Sequence, residues 1–270
     1  MDITREINFI GWDVGGWHGK KNAFCILTYD GNKIEFKKNP EILQKNQIRN
    51  FFKEIIESNS KVILAIDAPL GLPIGFVDLL TSDYYNLDIE DDYFKNPYGF
   101  RETDMHIRNL LGKNPISPTF DKLTNNITLA LCMRRELTNQ GFKFYPFDSA
   151  HNNDRKIALE VYPGIFKNQT MKNGVLEQLI NKTPSVDSET YFNGSLNYYL
   201  KGEKKLKTDE VDSFICALLA LCFYMEGKDG FPLIERKINP DENIRMEGWI
   251  YYPKELELNY QKSNATNKII

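Results

Sequence analysis

A short, continuously apolar run, KVILAID at residues 61–67, limits the fold more than any other stretch of the chain. A strand that is apolar on both faces must be covered on both sides, which is typical of a central strand between layers of helices. The run ends in a carboxylate, Asp67, and a second apolar run, NFIGWDV at residues 8–14, carries Asp13 near its end. The sequence therefore predicts an α/β protein whose buried strands end in acids.

The order of the predicted elements indicates a mixed sheet. NFIGWDV is followed by NAFCILTYD and GNKIEFKK, with a turn at Asp30-Gly31, which predicts three neighbouring antiparallel strands. Residues 39–59 place apolar side chains at helical spacing after Pro40, which predicts a helix before the strand at 61–67. RKIALEVYP, at residues 155–163, predicts a later buried strand. We therefore expect three antiparallel strands, a helix and then parallel strands.

The rest of the chain is expected to be helical or irregular within a single domain, residues 1–270. Residues 70–150 are interpreted as an insertion after the fourth strand, with FRETDMHIRNLLG and TNNITLALCMRRELTNQG as its helices. DEVDSFICALLALCFYM, at residues 209–225, has the clearest helical pattern in the chain, because its apolar residues form one stripe.

Composition excludes several classes of protein. The formal net charge of −3 and the pI near 5.8 exclude a generally basic surface, so contact with nucleic acid requires a local patch. The 4 cysteines form no C-x-x-C pair and the chain has 3 histidines, which argues against a zinc site and fits reduced thiols. Because no signal-peptide pattern or membrane-length apolar run is found, we expect a cytoplasmic protein with no membrane partner.

Three acids follow buried strands. Asp13, Asp67 and Glu160 each lie at or near the end of an apolar run, and strand ends in an open α/β sheet converge on the crevice where ligands bind. Carboxylates that are close together repel each other and lose solvation. A divalent cation removes that penalty, and hard oxygen ligands suit Mg²⁺ or Mn²⁺.

A fourth acid comes from the helix at residues 209–225. At about 100° per residue, Asp212 lies inside the edge of the apolar stripe, whereas Asp209 lies nearer solvent. An acid in the first turn of a helix is either a cap that complements the helix dipole or a ligand. The helical angle favours Asp212 as the ligand.

The arrangement resembles the ribonuclease H-like fold, in which a mixed sheet of three antiparallel strands followed by parallel strands is flanked by helices. More closely, GWDVGGW, AIDAPLGLP, FRETDMHIRNLLG, LEVYP, KTDEVDSFICALLA and EGWIYYP resemble the family catalogued as domain of unknown function 429, described as predicted nucleases with that fold. The motifs span residues 11–252. The chain has Gly164 where the family usually places another acid after its E-x-[HY]-P stretch.

The resemblance implies a metal-dependent phosphodiester hydrolase that acts on nucleic acid or a nucleotide-like substrate. Asp13, Asp67 and Asp212 are the implied metal ligands for Mg²⁺ or Mn²⁺, with Asp13 bridging two ions. Glu160 matches a family Glu on the fifth strand, and Asp209 is a neighbour in the same D-x-x-D pattern. Either one adds a ligand or orients the attacking water.

Candidate substrate contacts lie on two segments. Arg101, Asp104 and Arg108 share one helical face, as either a phosphate grip or a surface salt-bridge ladder. Lys205 lies in the basic segment LKGEKKLK, which is either a local patch for a polyanion or a solvated loop.

The residues around Asp13 also allow a contact with substrate. Trp12 is expected in the core, whereas Trp17 is open to base stacking. Gly15 and Gly16 are expected to keep side chains away from an approaching phosphate.

Two other functions compete with the nuclease. One is a phosphotransferase or ATPase of the actin and sugar-kinase group, although the second Gly-rich phosphate loop of that group is missing here. The other is a binding protein that kept the fold and lost turnover.

Overall fold

The computed structural model describes residues 6–17, 21–31, 34–57, 60–83, 85, 93–111, 117–119, 124–148, 154–166, 208–226 and 242–253. The strands within these ranges are β1 (Ile7–Asp13), β2 (Asn22–Tyr29), β3 (Ile34–Leu43), β4 (Lys61–Asp67), β5 (Lys143–Tyr145), β6 (Lys156–Val161) and β7 (Ile250–Tyr251). The helices are α1 (Lys45–Glu57), α2 (Ile74–Thr81), α3 (Glu102–Leu111), α4 (Thr124–Asn139), α5 (Thr208–Glu226) and α6 (Glu242–Glu247), with short 3-10 turns at Tyr93–Lys95 and Pro163–Phe166.

The strands form one mixed sheet in the order β3-β2-β1-β4-β6-β5, and β7 also pairs with β6. β2 is antiparallel to both β1 and β3, whereas β4 is parallel to β1 and β6. β5 and β7 are parallel to β6. The predicted mixed α/β sheet is confirmed, and β5 and β7 are strands that the sequence analysis missed.

The two faces of the sheet are covered by different helices. Phe9 and Ile63 pack with the apolar side chains of α5, and we call this side the α5 face. Ile10 and Leu64, the next residues along each strand, pack with α1 and α4 on the α1/α4 face. This alternation explains why residues 62–66 are continuously apolar, because both faces of β4 are buried.

The boundary between β3 and α1 differs from the prediction. β3 continues to Leu43, with Ile42 paired to Ala23, and the helix begins only at Lys45. Pro40 is tolerated because β3 is an edge strand and the pairing with β2 has register shifts, so an N–H is not needed there. The side chain of Gln47 accepts a hydrogen bond from the Gln44 N–H at 2.7 Å and caps the helix that follows.

The region between β4 and β6 contributes to the main sheet. β5 extends the sheet beyond β6, and α4 supplies Leu129, Ala130, Met133 and Leu137 to the core of the α1/α4 face. Gly141 ends α4 with a φ of 86°, as predicted for a helix-terminating glycine. Part of the predicted insertion therefore belongs to the main fold, because it adds a strand to the sheet and covers one of its faces.

The helices that the structure describes include no segment with the length and hydrophobicity of a membrane span.

Gly11 lets α5 approach the sheet unusually closely. A β-carbon at this position would overlap the backbone carbonyl oxygen of Ser213 and would lie 2.4 Å from the backbone nitrogen of Ala217. Gly11 lies between Phe9 and Asp13 on the α5 face, so the missing side chain brings α5 directly over the strand that carries Asp13.

The Gly11→Ala change is expected to be strongly destabilising. The overlapping atoms belong to the backbone of α5, so the whole helix must move, and we expect a loss of at least about 3 kcal/mol, the upper part of the range for overpacked cores. Gly141→Ala is the matched control, because it adds the same methyl group where no atom lies within 4 Å. Its positive φ alone should cost about 1–2 kcal/mol. Urea unfolding measures both, and equal losses would show that close packing at Gly11 is unimportant.

Candidate active site

Asp13 and Asp67 lie side by side at the edge of the sheet. They are the last residues of the parallel strands β1 and β4, and the register pairs them directly. Adjacent strands are about 4.8 Å apart, so the two carboxylates are close neighbours. Both belong to the α5 face by alternation from Phe9 and Ala65. The predicted juxtaposition of the first two acids is therefore present in the structure.

Asp212 comes to the same face from α5. Asp212 is 7% exposed, so it is buried, as its angle on the helix predicts. The next residue, Ser213, is the one whose carbonyl oxygen lies over Gly11. The close approach of helix and strand therefore places Asp212 beside the end of β1. Asp209, in the first turn, is only half-buried.

The buried thiol of Cys216 is subject to the charges of three aspartates. Burial raises its pKa well above the ordinary value, and the charges of Asp67, Asp13 and Asp212 raise the pKa further, in that order. Each carboxylate acts on this thiol because an adjacent anion disfavours the thiolate. Asp13, Asp67 and Asp212 thus act on the same buried thiol, and we call these three residues the acidic cluster.

The acidic cluster is not a complete ligand cage. In the ranges that the structure describes, no three His, Cys, Asp or Glu side chains form a group ready to hold a metal ion. The three aspartates nonetheless offer only oxygen donors, the ligand type that Mg²⁺ and Mn²⁺ prefer. Mg²⁺ keeps several waters and needs only one or two protein carboxylates, so a partial set of ligands suits it.

Glu160 faces away from the acidic cluster, which corrects its predicted catalytic role. It pairs with Ile66 of β4, and Ile66 and Ala158 both belong to the core of the α1/α4 face. Its neighbour on β6, Val161, takes the α5 face instead. Side chains alternate between the two faces along a strand, so the position of Glu160 near the end of β6 does not determine which face of the sheet it lies on.

Glu160 forms a buried ion pair with Arg101. Arg101 Nη1 donates to Glu160 Oε2 at 2.8 Å, and Nη2 donates to Oε1 at 2.6 Å. On its other side Arg101 donates to Asp104, from Nε to Oδ2 at 3.1 Å and from Nη2 to Oδ1 at 2.9 Å. The fifth donor reaches the backbone oxygen of Glu247 at 3.3 Å. All five guanidinium donors are therefore used inside the protein.

This arrangement corrects the predicted substrate contact by Arg101 and Asp104. Each residue is 1% exposed, so neither meets a phosphate or forms a surface ladder. Burial alone would lower the pKa of Arg101, but the charges of Asp104 and Glu160 outweigh burial and raise it. The pKa of Glu160 is raised by burial, against the opposing effect of Arg101. The cluster is a structural ion pair network.

The network fixes the loop that follows Asp67. Leu70 donates its N–H to Glu160 Oε2 at 2.8 Å, and its carbonyl oxygen accepts from Arg134 Nη1 at 2.6 Å. A β-carbon on Gly71 would overlap the backbone oxygen of Glu247. The IDAPLGLP segment is therefore clamped on both sides, which limits the positions that Asp67 can adopt.

Glu247 is a structural residue that the sequence analysis did not single out. Its side chain accepts the Ile74 N–H at 2.7 Å and the Glu102 N–H at 2.9 Å, at the first residues of α2 and α3. Burial raises its pKa, and these two backbone donors oppose the shift. Glu247 opens the EGWIYYP motif, and that position was its only signal in the sequence.

Two of the remaining predicted substrate contacts have different outcomes. Arg108 is half-buried, with its guanidinium 3.8 Å from the centre of the Phe94 ring. Lys205 lies outside the described residues, so its predicted role stays a prediction.

The two tryptophans near Asp13 also separate. Trp12 is fully buried and stacks on Phe24, which confirms its place in the core. Trp17 is 39% exposed and stays a candidate for stacking.

The two glycines after Asp13 have packing roles, which corrects the prediction that they leave space for a phosphate. A β-carbon on Gly15 would overlap the backbone oxygen of Lys21. Gly16 has a φ of 81°, and a β-carbon there would lie 2.5 Å from side-chain atoms of Asn125 and Asn126. Gly15 therefore lets the backbone pass close to Lys21, just before β2, and Gly16 lets it pass close to the start of α4.

Comparisons with known proteins add no assignment. No protein-family model matches the chain, and no curated protein or solved structure matches it. The resemblance to family 429 therefore stays a prediction.

Proposed function

We propose that this protein is a divalent-metal-dependent nuclease that hydrolyses phosphodiester bonds. The observation that carries the proposal is the direct pairing of Asp13 with Asp67 at the ends of neighbouring parallel strands. Asp212 lies on the helix that covers the same face. Neighbouring carboxylates repel each other, and a divalent cation bound between them would remove that repulsion.

The topology supports a ribonuclease H-like fold as part of the proposal. The order β3-β2-β1-β4-β6, with an antiparallel first half and a parallel second half, agrees with the arrangement that the resemblance implies. Because one fold hosts many activities, this agreement supports the architecture and leaves the activity to the acids.

The chemistry assigns different roles to the described residues. Asp13, Asp67 and Asp212 would hold Mg²⁺ or Mn²⁺, which neutralises charge on the phosphate and lowers the pKa of bound water. Gly11 sets the distance between Asp212 and Asp13 through the close packing of α5. Glu160 and Arg134 hold Leu70, and with it the loop after Asp67. Glu160 is therefore a positioning residue in this mechanism.

A screen of metal-dependent cleavage tests the proposal. Purified protein is incubated with Mn²⁺ or with EDTA, and with single-stranded, double-stranded, hybrid and branched nucleic acids or a short dinucleotide. We expect cleavage of at least one substrate with Mn²⁺ and none with EDTA. No cleavage of any substrate, together with intact metal binding, would support the inactive binding protein instead.

The phosphotransferase alternative needs a separate measurement. A kinase-like protein is stabilised more by ATP than by adenosine monophosphate when both are added with Mg²⁺, because its site holds the terminal phosphates and the nucleotide binds only the folded state. We expect no rise in melting temperature with ATP beyond the rise with adenosine monophosphate. A clear excess with ATP, without cleavage of phosphodiesters, would favour the phosphotransferase.

A further inference from the structure

A groove runs between α1 and α4 on the α1/α4 face. Its volume is about 750 Å³, which is within the range of small-molecule sites. Trp17 borders it, Gln44, Asn46 and Arg49 line it at the start of α1, and Cys132 and Glu136 line it from α4. The buried side chains of Ile48, Leu129 and Met133 supply its apolar part. We call this feature the α1–α4 groove.

The α1–α4 groove begins at the same edge of the sheet as the acidic cluster. Leu43, the last residue of β3, pairs with Asn22, one position from the pair of Ala23 with Asp13. The start of α1 therefore lies at the edge where β1 ends. Trp17 follows Asp13 by four residues. The backbone N–H of Trp17 donates to the carbonyl oxygen of Asn125, near the start of α4, at 2.9 Å.

The chemistry of the groove suits a planar heterocycle. Trp17 is 39% exposed, whereas Trp12 and Trp249 are 0% and 6% exposed. Any of the bases can stack on an exposed indole ring, because every base has a π-face. Gln44 and Asn46 are exposed amides that both donate and accept hydrogen bonds. An apolar peptide would leave these amides and Arg49 without a matching group.

We propose that the α1–α4 groove binds a nucleobase of the phosphodiester substrate, with the base stacked on Trp17. This inference rests on the proposed function for the identity of the substrate. The binding itself needs neither metal nor cleavage. The amides of Gln44 and Asn46 contact the base edge, and Arg49 faces the phosphate or sugar beyond it. The groove lies on the α1/α4 face and the acidic cluster on the α5 face, so the phosphate of the same nucleotide would reach the acidic cluster around the edge of the sheet that carries Asp13.

Cys132 provides a natural reporter for the test. All four cysteines of the chain are described, and Cys132 is exposed while Cys25, Cys216 and Cys222 are buried. The rate at which a maleimide labels Cys132 should therefore fall when a ligand fills the groove. Labelling is measured in EDTA with adenosine monophosphate, uridine monophosphate or ribose 5-phosphate as the probe.

We expect both nucleotides to protect Cys132, and ribose 5-phosphate, which has no base, to give no protection at the same concentration. Trp17→Ala should weaken protection at least about fivefold, since stacking on one base contributes about 1–3 kcal/mol, and Trp17→Phe should retain most of it. Glu54→Gln, on the exposed side of α1, is the control and should bind like wild type.

The outcomes separate this inference from the proposed function. No protection by either nucleotide, or equal protection by ribose 5-phosphate, overturns the groove as a base site even if the protein cleaves nucleic acid. Unchanged protection in Trp17→Ala overturns it as well. Base-dependent protection that is lost in Trp17→Ala supports the groove even if no cleavage is found, in which case only the nuclease proposal fails.

Discussion

The Asp13→Asn protein is expected to fold like wild type and to lose Mn²⁺-dependent cleavage. Asparagine keeps the shape of the side chain and removes its charge, so Asp67 and Asp212 alone would remain to hold a cation. Loss of an outer-shell partner of a metal ligand costs about 10- to 100-fold in activity, so loss of a direct ligand should cost more than about 100-fold. Initial cleavage rates at saturating Mn²⁺ measure the effect.

The stability of the Asp13→Asn protein should not fall with its activity. Removing one of three neighbouring anions relieves repulsion, so in EDTA the melting temperature should stay the same or rise. Glu54→Gln removes an exposed acid from α1 by the same acid-to-amide change, and it should leave both quantities unchanged. Cleavage by Asp13→Asn at the wild-type rate would remove Asp13 from the catalytic site.

Arg101→Ala is expected to be the most destabilising single change in the ion pair network. It leaves Glu160 and Asp104 buried without their shared guanidinium. Removing one partner of a buried ion pair typically costs about 3–5 kcal/mol, because an uncompensated charge stays in the interior. Urea unfolding followed by circular dichroism measures the free energy of unfolding.

Two further variants make the Arg101 prediction specific. Arg101→Lys should recover little of the stability, because an ammonium group cannot make two bidentate contacts in one plane. Arg108→Ala is the matched control on α3, since Arg108 is half-buried and its contact with Phe94 contributes only about 1 kcal/mol. Losses below 1 kcal/mol for Arg101→Ala would show that the network does not support the fold.

Much of the fold follows from periodicity in the sequence. The runs at β1, β2 and β4 and the apolar stripe of α5 each bury enough surface to define their element. β5 and β7 have 3 and 2 residues, too few to show a period of two. The sequence predicts the start of α1 too early, because apolar residues in the edge strand β3 continue the helical spacing.

The candidate site could be predicted only where the pattern also fixed direction. The helical angle of Asp212 located it correctly at the border of a buried face. Glu160 also lies near a strand end, but its side chain is on the opposite face of the sheet from Val161, the next residue, which is on the α5 face. Helical spacing joined Arg101 to Asp104 but did not reveal that this face of α3 points inward. Which side of a strand or helix is buried depends on the packing of segments that are distant in the sequence.

Binding of Mn²⁺ to wild type, Asp212→Asn and Asp209→Asn is the most direct measurement of the central claim, that three aspartates at one edge of the sheet hold a cation. Electron paramagnetic resonance titration of free Mn²⁺ gives the affinity without reference to any substrate. Asp212 is buried within the acidic cluster, whereas Asp209 lies one turn earlier on α5 and is half-buried. We predict binding by wild type, at least about tenfold weaker binding by Asp212→Asn, and an unchanged affinity for Asp209→Asn. Equal affinities for all three proteins, or no binding by wild type, would contradict the account.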